Sequence, residues 1–327
     1  MANYKKMVRD DLKAMDSKCP ALLRHGRNLN LAYMDGKLEP CFHREDLIRS
    51  IQRLLLRKNK ANILLTGPAG CGKTAIAEAL AAAISDSRVR YLKACDEALD
   101  AYLKAKQAWE AGQLPQVPKQ QMPEKPPLCD CVVYELSLNS AVSGTKYRGE
   151  FEERLEEILR EIRGNPRVIL FVDEIHHICR VGAAEGCVSA GQILKPALAR
   201  NEIRLIGATT TQEKAEILQD PALARRFTQL EVPQLQAEAA QDTAKGILKH
   251  YSHYHKVTTK VPADWILAQV QFHLPDTVFP DNFINVVDET LAGAVLDGNK
   301  VVNMADFNDT LSRMTGRLIL SMDQRAG

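Results

Sequence analysis

The feature that most constrains this chain is an apolar run that ends in a glycine-rich loop. Asn62-Ile63-Leu64-Leu65-Thr66 leads into Gly67-Pro68-Ala69-Gly70-Cys71-Gly72-Lys73-Thr74-Ala75. The run reads as a buried strand entering a turn. Ile76, Leu80 and Ile84 follow at four-residue intervals and predict a helix directly after the loop. Gly67 to Thr74 spell G-x-x-x-x-G-K-T, the pattern of a phosphate-binding loop. Glycines let backbone N–H groups turn inward onto phosphate oxygens. A lysine in the place of Lys73 reaches the outer phosphates, and a hydroxyl in the place of Thr74 ligates Mg²⁺. The positive end of the following helix favours the same anion. Gly67 through Ala75 are therefore the candidate nucleotide-binding residues.

A second apolar run, Val168-Ile169-Leu170-Phe171-Val172, ends in Asp173-Glu174. A buried strand would bring Asp173 to the carboxyl edge of a sheet, where it can hold the shell of a Mg²⁺ ion. Glu174, one residue on, can polarise a water aimed at a terminal phosphate. His176 and His177 follow at once, but no further ligands are spaced for a metal, so they read as packing or loop histidines. The C-x-C pair Cys129 and Cys131 also lacks zinc-ligand partners and reads as plain thiols.

Around these motifs, strands alternate with helices. Residues 131–136, 203–208 and 228–232 read as further strands, and Glu45 to Leu56, residues 93–112 and Arg148 to Ile162 as helices. That alternation predicts a parallel sheet covered on both faces. Five prolines between Pro115 and Pro127 mark a loop. After Pro233 only helical periodicity remains, closing with Gly316 as a helix C-cap. The expected organisation is a polar extension over 1–36, an α/β domain over 37–233 with an insertion at 86–130, and a helical domain over 234–327. The net charge of +2 gives no support to a nucleic-acid groove. Met1 to Asp11 has no apolar signal core, and no run approaches the roughly 20 apolar residues of a membrane helix. The eight cysteines are scattered, which suggests reduced thiols and a cytoplasmic protein.

Several segments resemble the ClpA, ClpB and ClpC group of AAA+ unfoldases, over the first ATPase module only. SGTKYRGEFEERL (143–155) is similar to the family's central-pore segment, and DPALARRF (220–227) to its arginine-finger segment. GQILKPALAR (191–200), IGATT (206–210), GRNLNLAYMDGKLEP near the start and DFNDTLSRMTG near the end also resemble it. The resemblance implies an AAA+ P-loop fold, with a parallel five-stranded sheet sandwiched by helices and a small all-helical lid. It implies ATP and Mg²⁺ as ligands and a ring, a hexamer, of identical subunits acting on polypeptides. By resemblance, Thr210 is the residue that senses the γ-phosphate. Arg225 and Arg226 are the fingers that reach a neighbour's nucleotide, where a guanidinium neutralises charge on the transferred phosphoryl group. Tyr147 is the pore aromatic, a rigid ring able to pack on almost any passing side chain.

There are departures from the pattern. Cys41 and Phe42 stand in the adenine-facing segment where the family has smaller branched residues, and His43 replaces a glycine. Asn282 stands where the family has a lysine. The family's receptor domain, its coiled-coil domain and its second ATPase module, with the peptidase-docking loop, have no counterpart. No peptidase partner is therefore expected, while an adaptor or partner protein is. The leading expectation is an ATP-hydrolysing ring motor that remodels, unfolds or translocates polypeptides. The alternatives are an ATP-dependent scaffold that recruits partners without threading, and a nucleic-acid loader.

Overall fold

Strands of five or six residues are long enough to cross a sheet. A computed structural model describes residues 2–142, 148–180 and 190–319. Its main sheet is built from β1 (Gly26–Asn28), β2 (Asn62–Thr66), β3 (Val132–Leu136), β4 (Val168–Val172), β5 (Arg204–Thr209) and β6 (Phe227–Glu231), in the order β1-β3-β4-β5-β2-β6. Strands β3, β4 and β5 run parallel, with Leu136 opposite Val172 and Val172 opposite Gly207. Every residue of β2 and β4 is buried, as strands covered on both faces require.

Among the described residues the sheet has six strands, not the expected five. The sixth is β1, which pairs antiparallel with β3. Three residues are too few to show a period of two, so this edge strand has no pattern to read. Gly26 makes it possible: a Cβ there would lie 2.1 Å from the carbonyl oxygen of Glu135.

Two compact units are found, one of Met1–Glu39, Ile48–Leu65 and Thr74–Leu230, the other of Pro40–Leu47, Thr66–Lys73 and Glu231–Gly327. In the first, the supposed polar extension is part of the core. The helix Ala2–Asp16 buries Val8, Leu12 and Met15, and Leu22 and Leu29 are fully covered. Full burial of one such side chain stabilises by about 1.5–3 kcal/mol. Its polar ties are as specific. Asp16 accepts hydrogen bonds from Asn28 (2.7 Å) and from the hydroxyl of buried Tyr134 (2.9 Å). Burial, then the Asp16 carboxylate, pushes the Tyr134 phenol far above its ordinary value. Buried Asn30 donates to Ala81 O and Ser85 Oγ and accepts from the N–H of Val133 at 2.7 Å, so it needs no water.

The helix after the phosphate loop runs unbroken from Lys73 to Glu110, joining what the sequence suggested were two helices. Its extension is fastened to the N-terminal helix. Asp11 takes Arg88 at 2.8 Å and Arg167 at 2.6 Å, and Asp130 lies 3.9 Å from Arg88 and also pairs with Lys125.

The second unit packs the helices Ala237–His255, Ala263–His273, Asp281–Leu296 and Met304–Thr315 around Phe283, Val286, Leu291 and Phe307. The last helix starts with a reciprocal cap between Asn303 and Asp306 and ends at Gly316, φ 67°. This unit is not wholly helical: β7 (Thr258–Thr259) and β8 (Val301–Val302) form a small parallel pair.

Candidate functional site

In the first unit, the parallel course of β4 and β5 brings the residues that follow them, Asp173 and Thr210, out at one edge of the sheet. The Thr74 hydroxyl, in the first turn of the helix Lys73–Glu110, donates to Oδ2 of Asp173. The other carboxylate oxygen accepts the N–H of Glu174 at 2.9 Å. A hydroxyl beside a carboxylate is a set of hard oxygen donors. That suits Mg²⁺, which keeps several waters and takes few protein ligands.

Glu174 has φ 48°, a left-handed conformation uncommon for a residue with a Cβ. It turns the chain sharply off β4 while the side chain stays exposed, 3.3 Å from Nε2 of His177. The next two residues anchor the turn. Ile175 donates its N–H to Ala208 O, and its side chain fills the space left by Gly207, where a Cβ would be 2.5 Å away. His176 is buried, with Nδ1 3.1 Å from Thr209 Oγ1 and Nε2 3.2 Å from Glu213 Oε1. Glu213 in turn receives the Thr210 hydroxyl at 2.7 Å and donates its N–H back to it at 3.2 Å. His176 and Glu213 thus tie the segment that follows the acid pair to Thr210. The sequence marked His176 as a packing or loop histidine, as its burial bears out, but not its partners or Glu213, because they lie more than thirty positions away.

Arg225 and Arg226 are exposed, at and after the end of the short helix Pro221–Ala224, and neither has an ion-pair partner among the described residues. The helix is capped by Asp220, which accepts from the N–H groups of Ala222 and Leu223. A hydrogen bond from Lys195 holds the Asp220 carboxyl below its ordinary value. Tyr147 lies outside the described residues.

In the second unit, Gly70 (φ 77°) and Gly72 (φ 88°) take the loop through backbone angles that side chains resist. A Cβ on Gly70 would be 2.8 Å from Cβ of Asp281, so glycine is required there for space as well. Buried Lys73 lies across the loop and donates to Gly67 O (3.0 Å) and Pro68 O (2.8 Å). Burial pushes the Cys71 thiol up, against the pull of Lys73 and Arg44. Arg44, which the sequence analysis did not single out, is buried and donates to Pro233 O (2.7 Å) and Cys71 O (3.4 Å), which pins the loop. Burial lowers its pKa. Cys41 and Phe42 are half-buried, and the Phe42 ring packs over Gly246, where a Cβ would approach it to 2.6 Å. A loop of glycine N–H groups with a buried lysine fits a polyphosphate. Among the described residues no cluster of three or more His, Cys, Asp or Glu could hold a metal, and Cys129 and Cys131 are free thiols.

Residues 63–234 match the model of the ATPase family associated with various cellular activities (AAA). The chain is 37% identical over 276 residues to the chloroplastic chaperone protein ClpC2 of Arabidopsis thaliana, an alignment covering 84% of this chain and 25% of that protein. It is 38% identical over 292 residues to the chaperone protein ClpB of Aquifex aeolicus (strain VF5), covering 88% and 25%. Among solved structures it is similar to Hsp104 in its closed state with ATPγS and FITC casein, with a TM-score of 0.70 and 30% identity over 93% of this chain and 47% of that one. The S. cerevisiae Hsp104-ADP complex is also similar, with a TM-score of 0.68 and 29% identity, covering 93% and 47%. The chain spans about a quarter of the length of these curated relatives and under half of these structures. With the family match extending over more than half of its 327 residues, the chain belongs to the AAA family of ATPases.

Proposed function

We propose that this chain is a Mg²⁺-dependent ATPase that works as a ring, a hexamer, and uses hydrolysis to unfold or translocate polypeptides. The observation that carries the reading is the hydrogen bond from Thr74 to Asp173, which joins the phosphate-loop helix to the acid at the end of β4. In this reading the N–H groups of Gly67 to Ala75 cradle the phosphates. Lys73 exchanges its loop carbonyl partners for β- and γ-phosphate oxygens. Thr74 and Asp173 hold Mg²⁺, which when bound neutralises charge on those oxygens. Glu174 accepts a proton from the attacking water. Thr210 senses the γ-phosphate through its place at the end of β5. Cys41 and Phe42 lie along the adenine. Arg225 and Arg226, exposed and free of ion pairs among the described residues, are supplied to the nucleotide of the next subunit, so a lone subunit would be nearly inactive. Tyr147 grips the substrate.

Similarity to Hsp104 structures described with ATPγS, ADP and casein supports nucleotide and polypeptide as the ligand classes. Neither a scaffold role nor nucleic-acid loading is favoured by any observation. A cytoplasmic location fits the free cysteines, and no described helix is long and apolar enough to cross a membrane. An adaptor or partner protein is part of the proposal.

The test compares ATP hydrolysis with unfolding of a tagged, folded substrate. Glu174→Gln should bind ATP and lose both activities. Tyr147→Ala should hydrolyse ATP and lose unfolding. Normal unfolding by Tyr147→Ala would remove the threading claim, and normal hydrolysis by Glu174→Gln would remove the assignment of the base.

A further inference from the structure

The second unit carries a basic cleft that none of the nucleotide chemistry uses. Lys245, Lys249, His253 and Lys256 fall on one face of the helix Ala237–His255 and its C-cap, spaced by four, four and three residues. They border a cleft of about 720 Å³. Among the described residues no carboxylate lines it. All four side chains are exposed. Only Lys245 has an acidic partner, Asp242 at 3.3 Å, and that exposed pair contributes little. Lys249, His253 and Lys256 have none among the described residues.

The floor of the cleft is apolar, formed by buried Leu248, Val257 and Ala263. One further feature gives it polar positions. Strand β7, which also lines it, pairs only with β8, so its other edge is not engaged by a strand.

We propose that this cleft binds an extended acidic peptide segment bearing at least one aliphatic side chain. Charge complementarity selects the acidic class. From Lys245 to Lys256 the stripe is about 17 Å long at 1.5 Å per helical residue. That length matches about five residues of extended chain, and is far more than one phosphate group needs. The cations are lysines and a histidine with no arginine fork, so the cleft reads separated point charges rather than one planar or tetrahedral anion. The apolar floor takes the aliphatic side chain, and the edge of β7 can add main-chain hydrogen bonds. The occupant is a segment of a partner or substrate protein. The inference does not depend on hydrolysis or on ring assembly.

The test uses the full chain with saturating ATPγS, which keeps anionic probes off the phosphate loop. A short fluorescein-labelled peptide of alternating Glu and Leu is titrated and followed by anisotropy. It should bind, and added salt should weaken it. The double variant Lys245→Gln/Lys249→Gln should raise Kd by about tenfold with its melting temperature and ATPγS affinity unchanged. Lys249→Arg, which keeps the charge, should bind like the unmodified protein. Absence of binding, or equal binding by the double variant, overturns the proposal. Binding of a peptide of alternating Gln and Leu as tight as that of the acidic one also overturns it, because the cleft would then not select charge.

Discussion

The Thr74 hydroxyl donates to Oδ2 of Asp173 across 99 positions of sequence. Two motifs that are separate strings in the chain become one donor set at the edge of the sheet. Removing the hydroxyl should therefore weaken the response to Mg²⁺ more than the grip on phosphate. Thr74→Ala is expected to lower ATP affinity by about tenfold in the presence of Mg²⁺ and to change it little in EDTA. Thr74→Ser should behave like the unmodified protein. Calorimetric titration with and without Mg²⁺ separates the cases, and equal losses in both would argue against a metal role.

Arg225 and Arg226 are exposed and hold nothing together within the described chain. Arg225→Ala and Arg226→Ala should leave the melting temperature and nucleotide affinity unchanged. At least one should cut hydrolysis by about a thousandfold, the scale of an arginine acting on a transferred phosphoryl group. If the residue acts on a neighbour, mixing Arg226→Ala with Glu174→Gln should restore hydrolysis at sites that combine one intact half from each. Failure of every mixture would place both defects in the same subunit.

The N-terminal helix should behave as core. Leu12 is 1% exposed and Met7, on the other face, 50%. Leu12→Ala is expected to cost about 2–5 kcal/mol. Met7→Ala should stay within about 0.5 kcal/mol. Urea unfolding measures both, and similar small values would mean that the helix is peripheral.

Acid should loosen the same region. Burial pushes the Asp11 carboxyl up, but Arg88 and Arg167 outweigh it, and the pKa ends below its ordinary value. Asp130 is lowered for a related reason, with Lys125 and Arg88 outweighing burial. A carboxyl with a depressed folded pKa contributes stability that is present above its unfolded value and lost as pH falls through the folded one. The window thus opens at about pH 4 and extends downward. The melting temperature of Asp11→Asn should lie below that of the unmodified protein at neutral pH, and the gap should close in this acid range. A gap independent of pH would show that the ion pairs contribute nothing.

Much of the fold was legible because its signals are local. The strand, loop and helix around Gly67 to Thr74, the strand ending in Asp173-Glu174 and the helix-only pattern after Pro233 each state their period within one short window. The bounds of β2 and β4 and the Gly316 cap are where that pattern put them. The assignment of Thr210, Arg225 and Arg226 came from resemblance, since an exposed arginine pair and a threonine after a strand have no period at all.

What only the tertiary structure decided is everything whose partner is distant. A stripe of Val8, Leu12 and Met15 among charges reads as part of a polar extension until a core is present to cover it. The three residues of β1 become a strand only because β3 offers an edge and Gly26 leaves room for it. The roles of Asn30, Arg44 and His176 are set by carbonyls, hydroxyls and carboxylates between 27 and 189 positions away. Composition and spacing determine which segments can hide apolar surface. Which buried polar groups then meet is determined by the requirement that each be hydrogen-bonded, and that is resolved only when the chain has closed on itself.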